Sequence, residues 1–246
     1  MKLDLLPTRT AGAAENMATD FLLLQRYPRA GEPRFRHYGW RGPAFTFGYS
    51  QKIAFVRESL AQAAVEPPFE VCRRATGGGV VDHRHDWTYA LVIPRGHPLE
   101  ERPATHSYRE IHEALARALC AQGVDAVTKP CVAEPAAEDK PAGPAGVCFQ
   151  RAEIYDVVRA EDGAKIAGAA QKRNKHGLLF QGSIGRPAAE AGGVAVDWEK
   201  FGDEFVAQLA LMLAVEAEAT PWPEFHDEEL GALVEQYSAT EWTEHR

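Results

Sequence analysis

The sequence predicts an α/β fold of the α+β kind, in which a mixed, largely antiparallel sheet carries flanking helices. Strand-like segments follow one another over residues 152–158, 164–173 and 176–184, an order typical of antiparallel neighbours joined by short turns. Segments with apolar residues three and four positions apart occur near the beginning, middle and end of the chain, as in helices packed on a sheet. The length of 246 residues and the 45% hydrophobic content suit one sizeable core, so we expect a single domain over residues 1–246.

The first half of the chain alternates the two kinds of element. In order, we predict a strand at 2–7, a helix at 14–27, strands at 33–40 and 44–51 joined by a turn at 41–43, a short helix at 58–65, a strand at 69–74 and an almost wholly apolar, central strand at 87–94.

The second half begins with the most regular helix pattern, over residues 107–123. Ser107 and Glu110 have the spacing of a capping box, and Gly123 is a natural stop. Residues 130–146 hold four prolines and no periodic apolar pattern, which predicts a mobile loop. After the three strands, of which the first two should form a hairpin, we predict a helix beginning at Trp198 and another over residues 227–237.

Charge and composition exclude several classes of protein. From residue 187 onward, 14 acidic residues stand against Lys200 and Arg246, whereas the first 186 residues have a balance of +4. The sequence lacks the basic patch interleaved with aromatics that is typical of nucleic-acid binding. It also lacks an apolar run of roughly 20 residues, which a membrane span requires. The N-terminus does not resemble a signal peptide. We therefore expect a cytoplasmic protein that binds neither nucleic acid nor membrane.

Cysteine and histidine spacing gives no indication of a metal. The four cysteines show no CxxC pattern, and reduced thiols are the simplest interpretation. His83 and His85 stand beside Asp82 and Asp86, but no further cluster at suitable spacing supports a metal site there. We predict no metal ligands.

Three consecutive glycines, Gly77, Gly78 and Gly79, follow the strand that ends in Arg73-Arg74. Val80-Val81 stands where a Walker loop needs Lys and Ser or Thr, and the segment leads into a strand where a Rossmann loop opens a helix. Glycines without Cβ atoms allow backbone amides to approach a ligand or another strand closely. Taken alone, the run fits either an ordinary turn or a binding loop.

A second segment, KIAGAAQKR at residues 165–173, places a lysine before a series of small residues. In a regular strand Lys165, Ala167 and Ala169 share one face, so the ammonium stands above a surface cleared of bulk. Such a surface suits a long, thin ligand. An exposed lysine on an alanine-rich edge strand is the alternative.

The two segments in this order, RRATGGGVVDH followed by KIAGAAQKR and HGLLFQGSI, closely resemble the lipoate-protein ligase and octanoyltransferase family, which is related to biotin protein ligase. NMATD at residues 16–20 and the series Trp40, Pro43, Gly48, Gln51 also match, and the resemblance runs from about residue 12 to residue 186. It implies the catalytic-domain fold of that family, which is similar to class II synthetases. Because about 60 residues remain after the last motif, we expect no C-terminal accessory domain.

The resemblance also implies site residues. In that family the arginine pair and glycine loop hold the acyl group or its adenylate, and the lysine of the K-x-x-G-x-A-Q segment contacts the acyl carbonyl. Carried over, the substrate-binding residues are Arg73, Arg74, Thr76, Gly77, Gly78, Gly79, His83, Gly168, Ala170 and Gln171, with Lys165 catalytic.

Two chemistries occur on this scaffold. Cys148 stands in the segment VCFQRAEIYDVV, which resembles the CF segment of cysteine-dependent octanoyltransferases. A Cys148 nucleophile implies transfer of an octanoyl or lipoyl group from acyl carrier protein, or from a lipoylated carrier, with no cofactor. Gly79, however, stands where those transferases usually have Arg, and Gly-Gly-Gly is the form typical of ligases. The alternative is a lipoate ligase that needs ATP and Mg²⁺, with an accessory subunit on a second polypeptide as an option. A non-catalytic protein that only binds acylated carriers is the third hypothesis.

The implied partners follow from the chemistry. An octanoyl-acyl carrier protein would donate the acyl group through a Cys acyl-enzyme, and a lysine of a lipoyl domain of a 2-oxoacid dehydrogenase, or of the glycine-cleavage H protein, would accept it. Both carriers are usually acidic, which suits the net charge of +4 in the first 186 residues.

Overall fold

Two sheets organise the part of the chain that the structure, a computed structural model, describes, namely residues 1–25, 32–131 and 152–245. The strands are β1 (Lys2–Leu5), β2 (Arg9–Ala11), β3 (Arg34–Trp40), β4 (Ala44–Phe47), β5 (Glu70–Arg73), β6 (Val81–Asp82), β7 (Asp86–Pro94), β8 (Ala126–Thr128), β9 (Val157–Arg159), β10 (Lys165–Asn174), β11 (Gly177–Gly185) and β12 (Glu216–Ala219). The helices are α1 (Ala13–Gln25), α2 (Ile53–Gln62), α3 (Pro98–Glu101), α4 (Ala104–Ala121), α5 (Arg186–Glu190), α6 (Trp198–Leu213), α7 (Asp227–Ser238) and α8 (Thr240–Thr243).

Within the described residues, the larger sheet has nine strands in the order β12-β1-β3-β7-β11-β10-β9-β8, with β2 beside β3. The pairs of β1 with β12 and β3, and of β2 with β3, are parallel, and the other pairs of this sheet are antiparallel. A smaller sheet has the order β5-β4-β6. The prediction of a mixed, largely antiparallel sheet with flanking helices is confirmed.

The two faces of the larger sheet pack differently. One face buries a layer of aromatic and aliphatic side chains from β3, β7 and β11 beneath helices α4 and α6, which also pack on each other. The opposite face packs on α1 and α7, and the smaller sheet has its own apolar cluster with α2. Burial of these side chains is the main stabilising contribution, at about 25 cal/mol per Å² of apolar surface. The space between the larger sheet, α1 and the smaller sheet is where the predicted site residues gather.

Several boundaries differ from the sequence predictions. The capping box is wrong: α4 begins at Ala104 after Pro103, and Ser107 lies inside the helix, where its hydroxyl donates to the Ala104 carbonyl at 3.1 Å. Pro103 explains the earlier start, because a proline favours the extended backbone that precedes a helix. The helix does end before Gly123, whose φ of +84° requires glycine.

Strand lengths also differ. The segment predicted at 44–51 is a strand only to Phe47, and it belongs to the smaller sheet rather than pairing with β3. The segment at 152–158 is a strand only from Val157, because Tyr155 before it takes a φ of +66°. The hairpin that follows is confirmed, since β9 and β10 pair antiparallel around Gly163. Short strands β2, β6, β8 and β12 were not predicted, and helix α2 begins five residues earlier than expected.

Most of the loop predicted at 130–146 and the end of the helix predicted at 14–27 lie outside the described residues. In the part that is described, no helix combines the length and apolar character needed to cross a membrane. Nor do three His, Cys, Asp or Glu side chains gather there as a metal site would require.

Candidate acyl-binding site

A narrow slot lies between the larger sheet, helix α1 and the glycine loop, and its exposed surface is mostly apolar. Polar groups at a few positions interrupt that surface, a combination typical of small-molecule sites. The lining residues are Met17, Tyr38, Thr46, Arg74, Gly78, Val81, His83, Thr88, Lys165, Gly168, Ala169, Ala170, Gln181, Gly182 and Ser183.

Lys165 forms a buried ion pair in this slot. Its Nζ lies 2.7 Å from Asp156 Oδ2, and the two side chains are only 7% and 1% exposed. The Glu153 amide donates to the same Oδ2 at 2.7 Å, and the Tyr108 hydroxyl donates to Oδ1. A carboxylate held by these donors fixes the position of the ammonium, because its own rotation is blocked.

Tyr108 completes this cluster from helix α4. Its hydroxyl oxygen accepts from the Ala169 amide at 3.0 Å, which ties the helix to strand β10. Burial, together with the charge of Asp156, raises the pKa of Tyr108 above its usual value. The phenol therefore remains a donor toward the carboxylate at any pH at which the protein is studied.

A β-bulge sets the direction of the lysine. The register of β10 against β9 shifts between Lys165 and Ala167, so Ala167 packs into the core beneath α4 and α6. The expectation that Lys165 and Ala167 share one face is therefore wrong. Lys165 instead lies over Gly168: a Cβ built there would stand 2.7 Å from the lysine Cε and Nζ and 3.2 Å from Asp156 Oδ1. The absence of a side chain at Gly168 makes the ion pair possible.

Arg74 organises the glycine loop. Its Nη2 donates to the Gly77 carbonyl at 2.8 Å and to the Gly79 carbonyl at 3.0 Å, while Nη1 donates to Thr46 Oγ1 at 2.8 Å. Gly78 has a φ of +91°, which other residues rarely adopt. Because the guanidinium donates to two carbonyls of the same turn, it restricts that turn to one backbone conformation.

The loop also lies directly against the segment after β4. A Cβ at Gly48 would stand 1.9 Å from the Gly78 oxygen, and the Tyr49 amide donates to the Thr76 carbonyl at 2.8 Å. By contrast, a Cβ at Gly77 would meet nothing within 4 Å among the described atoms. The glycine run therefore packs backbone to backbone against Gly48, and open space lies beside Gly77.

Gly48→Ala is expected to displace the glycine loop, because two backbone segments cannot both remain in place around the new methyl group. We expect the free energy of unfolding to fall by about 1–3 kcal/mol. Urea unfolding measures it. Gly42→Ala is the matched control, since a Cβ there meets nothing within 4 Å. Equal stability of the two variants would contradict the described contact.

His83 belongs to a chain of buried hydrogen bonds beside the slot. Its Nδ1 lies 2.7 Å from Asp86 Oδ2 and its Nε2 lies 2.7 Å from Thr46 Oγ1, and its ring stacks on Trp40 at 4.0 Å. Asp86 Oδ2 also accepts from Ser183 Oγ. Because a carboxylate only accepts, the proton of a neutral imidazole lies on Nδ1, and Nε2 accepts from the Thr46 hydroxyl.

A second buried network anchors the loop to the larger sheet. Thr76 Oγ1 donates to Gln181 Oε1 at 2.8 Å, and Gln181 Nε2 donates to Asp20 Oδ2 at 2.6 Å. Asp20 pairs through Oδ1 with Arg36 Nε at 2.6 Å, and both side chains are almost completely buried. The Tyr38 hydroxyl donates to Asp20 Oδ2. The NMATD segment thus contributes a buried acid that holds the slot together.

The structure brings six of the predicted residues to the slot itself: Arg74, Gly78, His83, Lys165, Gly168 and Ala170. Thr76, Gly77 and Gly79 stand behind them in the loop. Arg73 and Gln171 lie elsewhere. Gln171 binds the beginning of α4 through the Ala104 carbonyl at 2.7 Å, and Arg73 donates to backbone carbonyls away from the slot. Cys148 lies outside the described residues.

The sequence prediction missed Asp156, Tyr108, Thr46, Asp86 and the pair Gln181 and Ser183. A signal existed for the last two, because two polar residues two positions apart in an otherwise apolar strand share one face. Asp156 within the apolar segment before Lys165 offered a weaker signal. Tyr108 had none, since it fits the apolar stripe of its helix.

His112 lies behind the Lys165–Asp156 pair and is fully buried. Its Nδ1 contacts the Tyr155 carbonyl at 2.7 Å, and burial lowers its pKa to about 4. Below the ordinary histidine pKa of about 6.5, His112 binds a proton in the unfolded chain but stays neutral in the folded protein. The free energy of unfolding should therefore fall as the pH drops from about 6.5 to about 4, by roughly 3 kcal/mol from this residue.

His112→Asn tests this, because the asparagine amide can replace Nδ1 but does not titrate. Urea unfolding of both proteins over that pH range should show a shallower loss of stability in the variant. Carboxyl groups titrate in both proteins and cancel in the difference. Parallel pH curves would contradict the assigned role of His112.

The arrangement of strands and helices is the fold found in lipoate-protein ligases. A bi-partite lipoate protein ligase from Thermoplasma acidophilum, solved in a study that includes its E2 lipoyl domain, has a TM-score of 0.72 at 18% identity, over 99% of this chain and 96% of that one. A lipoate-protein ligase A bound with ATP has a TM-score of 0.70 at 19% identity, over 99% of each chain.

The chain belongs to the lipoyl protein ligase A/B catalytic domain family, whose model matches residues 12–186. Octanoyltransferase LipM of Geobacillus kaustophilus is 33% identical over 172 residues, which span 70% of this chain but only 60% of that relative. Octanoyltransferase LipM of Symbiobacterium thermophilum is 30% identical over 97% of this chain and 96% of its own. The resemblance predicted from the sequence is confirmed.

Proposed function

We propose that the protein is an acyltransferase that moves an octanoyl or lipoyl group from a carrier thioester to a lysine of a lipoyl domain or H protein. The observation that carries the proposal is the mostly apolar slot with the buried Lys165 ammonium on its wall. The relatives named octanoyltransferase LipM support the same reaction. The prediction of a single catalytic domain over residues 1–246 stays a prediction.

In the first half-reaction, the Cys148 thiolate attacks the thioester carbonyl of an octanoyl-acyl carrier protein. The new C–S bond forms, the carrier's own sulfur leaves as a thiolate, and an acyl-enzyme results. The Lys165 ammonium stabilises the negative charge that develops on the carbonyl oxygen. Asp156 keeps that ammonium in place, so little reorganisation is needed when the charge appears.

In the second half-reaction, the neutral amine of the acceptor lysine attacks the acyl-enzyme. An amide bond forms, Cys148 leaves as a thiolate, and the amine loses its proton to solvent. Because an amide is more stable than a thioester, the transfer runs toward the acceptor. No ATP or metal takes part in this scheme. The thioester carries the activation that a free acid would lack.

The second candidate is an ATP-dependent lipoate ligase, and one observation favours it. The third glycine of the loop, Gly79, directs its carbonyl to Arg74 and leaves no side chain at that position. A glycine there is typical of the ligases in the resemblance, and ATP with Mg²⁺ would then be required. A binder of acylated carriers without catalysis is the third candidate.

The assay that separates these functions mixes the chain with octanoyl-acyl carrier protein and a lipoyl domain, and follows the mass of the lipoyl domain. The proposal predicts octanoylation without ATP, and none when the acceptor lysine is replaced by arginine. Modification only with ATP, Mg²⁺ and free octanoate would establish the ligase. Absence of modification under both conditions would favour the binder.

A further inference from the structure

The short C-terminal helix α8 is joined to the strand that leads into the glycine loop. The fully buried Arg73 donates from Nε to the Trp242 carbonyl at 2.9 Å and from Nη2 to the Thr243 carbonyl at 2.8 Å. In return, Trp242 Nε1 donates to the Arg73 carbonyl at 2.9 Å. The last carbonyls of a helix have no partner inside it, and a cation placed there satisfies them.

The same guanidinium contacts the segment on its other side. Arg73 Nη1 donates to the Tyr49 carbonyl at 2.6 Å and to the Gln51 carbonyl at 2.7 Å. The Tyr49 ring lies 5.8 Å from the Trp242 ring. Arg73 thus connects helix α8, strand β5 and the segment 48–51.

This segment supports the glycine loop directly. Its Tyr49 amide donates to the Thr76 carbonyl, and its Gly48 Cα lies against the Gly78 carbonyl. Arg74, which follows Arg73 directly after strand β5, donates to the Gly77 and Gly79 carbonyls. A continuous path of short contacts therefore runs from the end of the chain to the wall of the slot.

We propose that residues 240–245, the C-terminal clasp, position the glycine loop for acyl binding, with Arg73 and Trp242 as the positioning residues. The clasp lies beyond residue 186, where the match to the family model ends. Its effect on acyl transfer rests on the proposed function, whereas its effect on the loop does not. The surface pair of Arg57 with Glu244 adds little, because exposed ion pairs are weak.

Trp242→Phe removes the indole Nε1 that donates to the Arg73 carbonyl but keeps an aromatic ring at this position. Trp198→Phe is the matched control, since it removes a similar bond, from Nε1 to Glu190 at 2.8 Å, beside the core on the other face of the sheet. A chain ending at Ala239 removes the whole clasp and leaves α7 in place. Hydrogen exchange is read at the Arg74 and Tyr49 amides, which donate to the Phe47 and Thr76 carbonyls.

In Trp242→Phe and in the shortened chain we expect both amides to exchange about tenfold faster than in the wild type or Trp198→Phe. We also expect KM for octanoyl-acyl carrier protein to rise about fivefold, with kcat changing less, because the slot is loosened before the chemical step. Unchanged exchange at both amides in a folded variant would overturn the clasp. Faster exchange in the variants, together with no acyl transfer by the wild type, would uphold the clasp and reject the proposed function. Full transfer by the variants, with unchanged exchange and unchanged KM, would reject the clasp and uphold the proposed function.

Discussion

Asp156→Ala is expected to lower the free energy of unfolding by about 3–5 kcal/mol, because it leaves the Lys165 ammonium buried without its carboxylate. The amide of Glu153 and the hydroxyl of Tyr108 lose their acceptor at the same time. Urea unfolding at neutral pH measures the loss. Glu161→Ala, in the exposed turn of the same hairpin, is the control and should change stability by less than about 0.5 kcal/mol.

The double variant Lys165→Met, Asp156→Asn separates stability from catalysis. Removing both charges removes the cost of an unpaired buried ion, so the double variant should be more stable than Asp156→Ala by at least about 2 kcal/mol. It should have no transferase activity, because the ammonium is gone. If Asp156→Ala unfolds at the wild-type urea concentration, the ion pair does not stabilise this site.

Gly168→Ala is expected to lower kcat/KM for acyl transfer about 100-fold while the protein remains folded. The new methyl group would stand 2.7 Å from Lys165 Cε and Nζ, so the flexible lysine must move away from its position above the strand. Displacing the ammonium weakens its ion pair with Asp156, and we expect a stability loss of about 1–3 kcal/mol. The loss should be smaller than in Asp156→Ala, because Asp156 keeps the Glu153 amide and the Tyr108 hydroxyl as donors. Steady-state kinetics with an octanoyl-carrier thioester, together with urea unfolding, measure both effects.

Gly231→Ala is the control for this variant. Gly231 lies inside helix α7, and a Cβ there meets nothing within 4 Å among the described atoms. Alanine should stabilise that helix by up to about 1 kcal/mol and leave activity unchanged. Wild-type activity in Gly168→Ala would mean that the position of Lys165 does not matter for the reaction.

Local patterns predicted the elements that depend on neighbours in sequence. Strands β10 and β11, the turn at Gly163 and the helix that ends before Gly123 follow from alternation, periodicity and turn residues. The parallel pairing of β1 with β12 joins residues at the two ends of the chain, and no local pattern records it. The bulge after Lys165 depends equally on the partner strand β9.

Lys165 and Gly168 were predicted as site residues through the resemblance to the family, because the residues alone left an exposed lysine on an edge strand as the alternative. The alternation of side chains along a strand could have corrected the prediction for Arg73. In the strand predicted at 69–74, neighbouring side chains point to opposite faces, so Arg73 and Arg74 should not both have been expected in the slot. Arg74 faces the glycine loop and Arg73 faces the C-terminal clasp. Asp156 was hidden because a single acid in an apolar segment does not reveal its buried partner.

The central claim is that acyl transfer passes through Cys148 as the nucleophile and depends on the Lys165 ammonium. The most direct measurement is the intact mass of the chain after mixing with octanoyl-acyl carrier protein, without ATP and without an acceptor, followed by peptide mapping. We predict one octanoyl adduct, located on Cys148, which is absent in Cys148→Ala and disappears when a lipoyl domain is added. Transfer to the lipoyl domain that continues in Cys148→Ala, and that depends on ATP and free octanoate, would contradict the account.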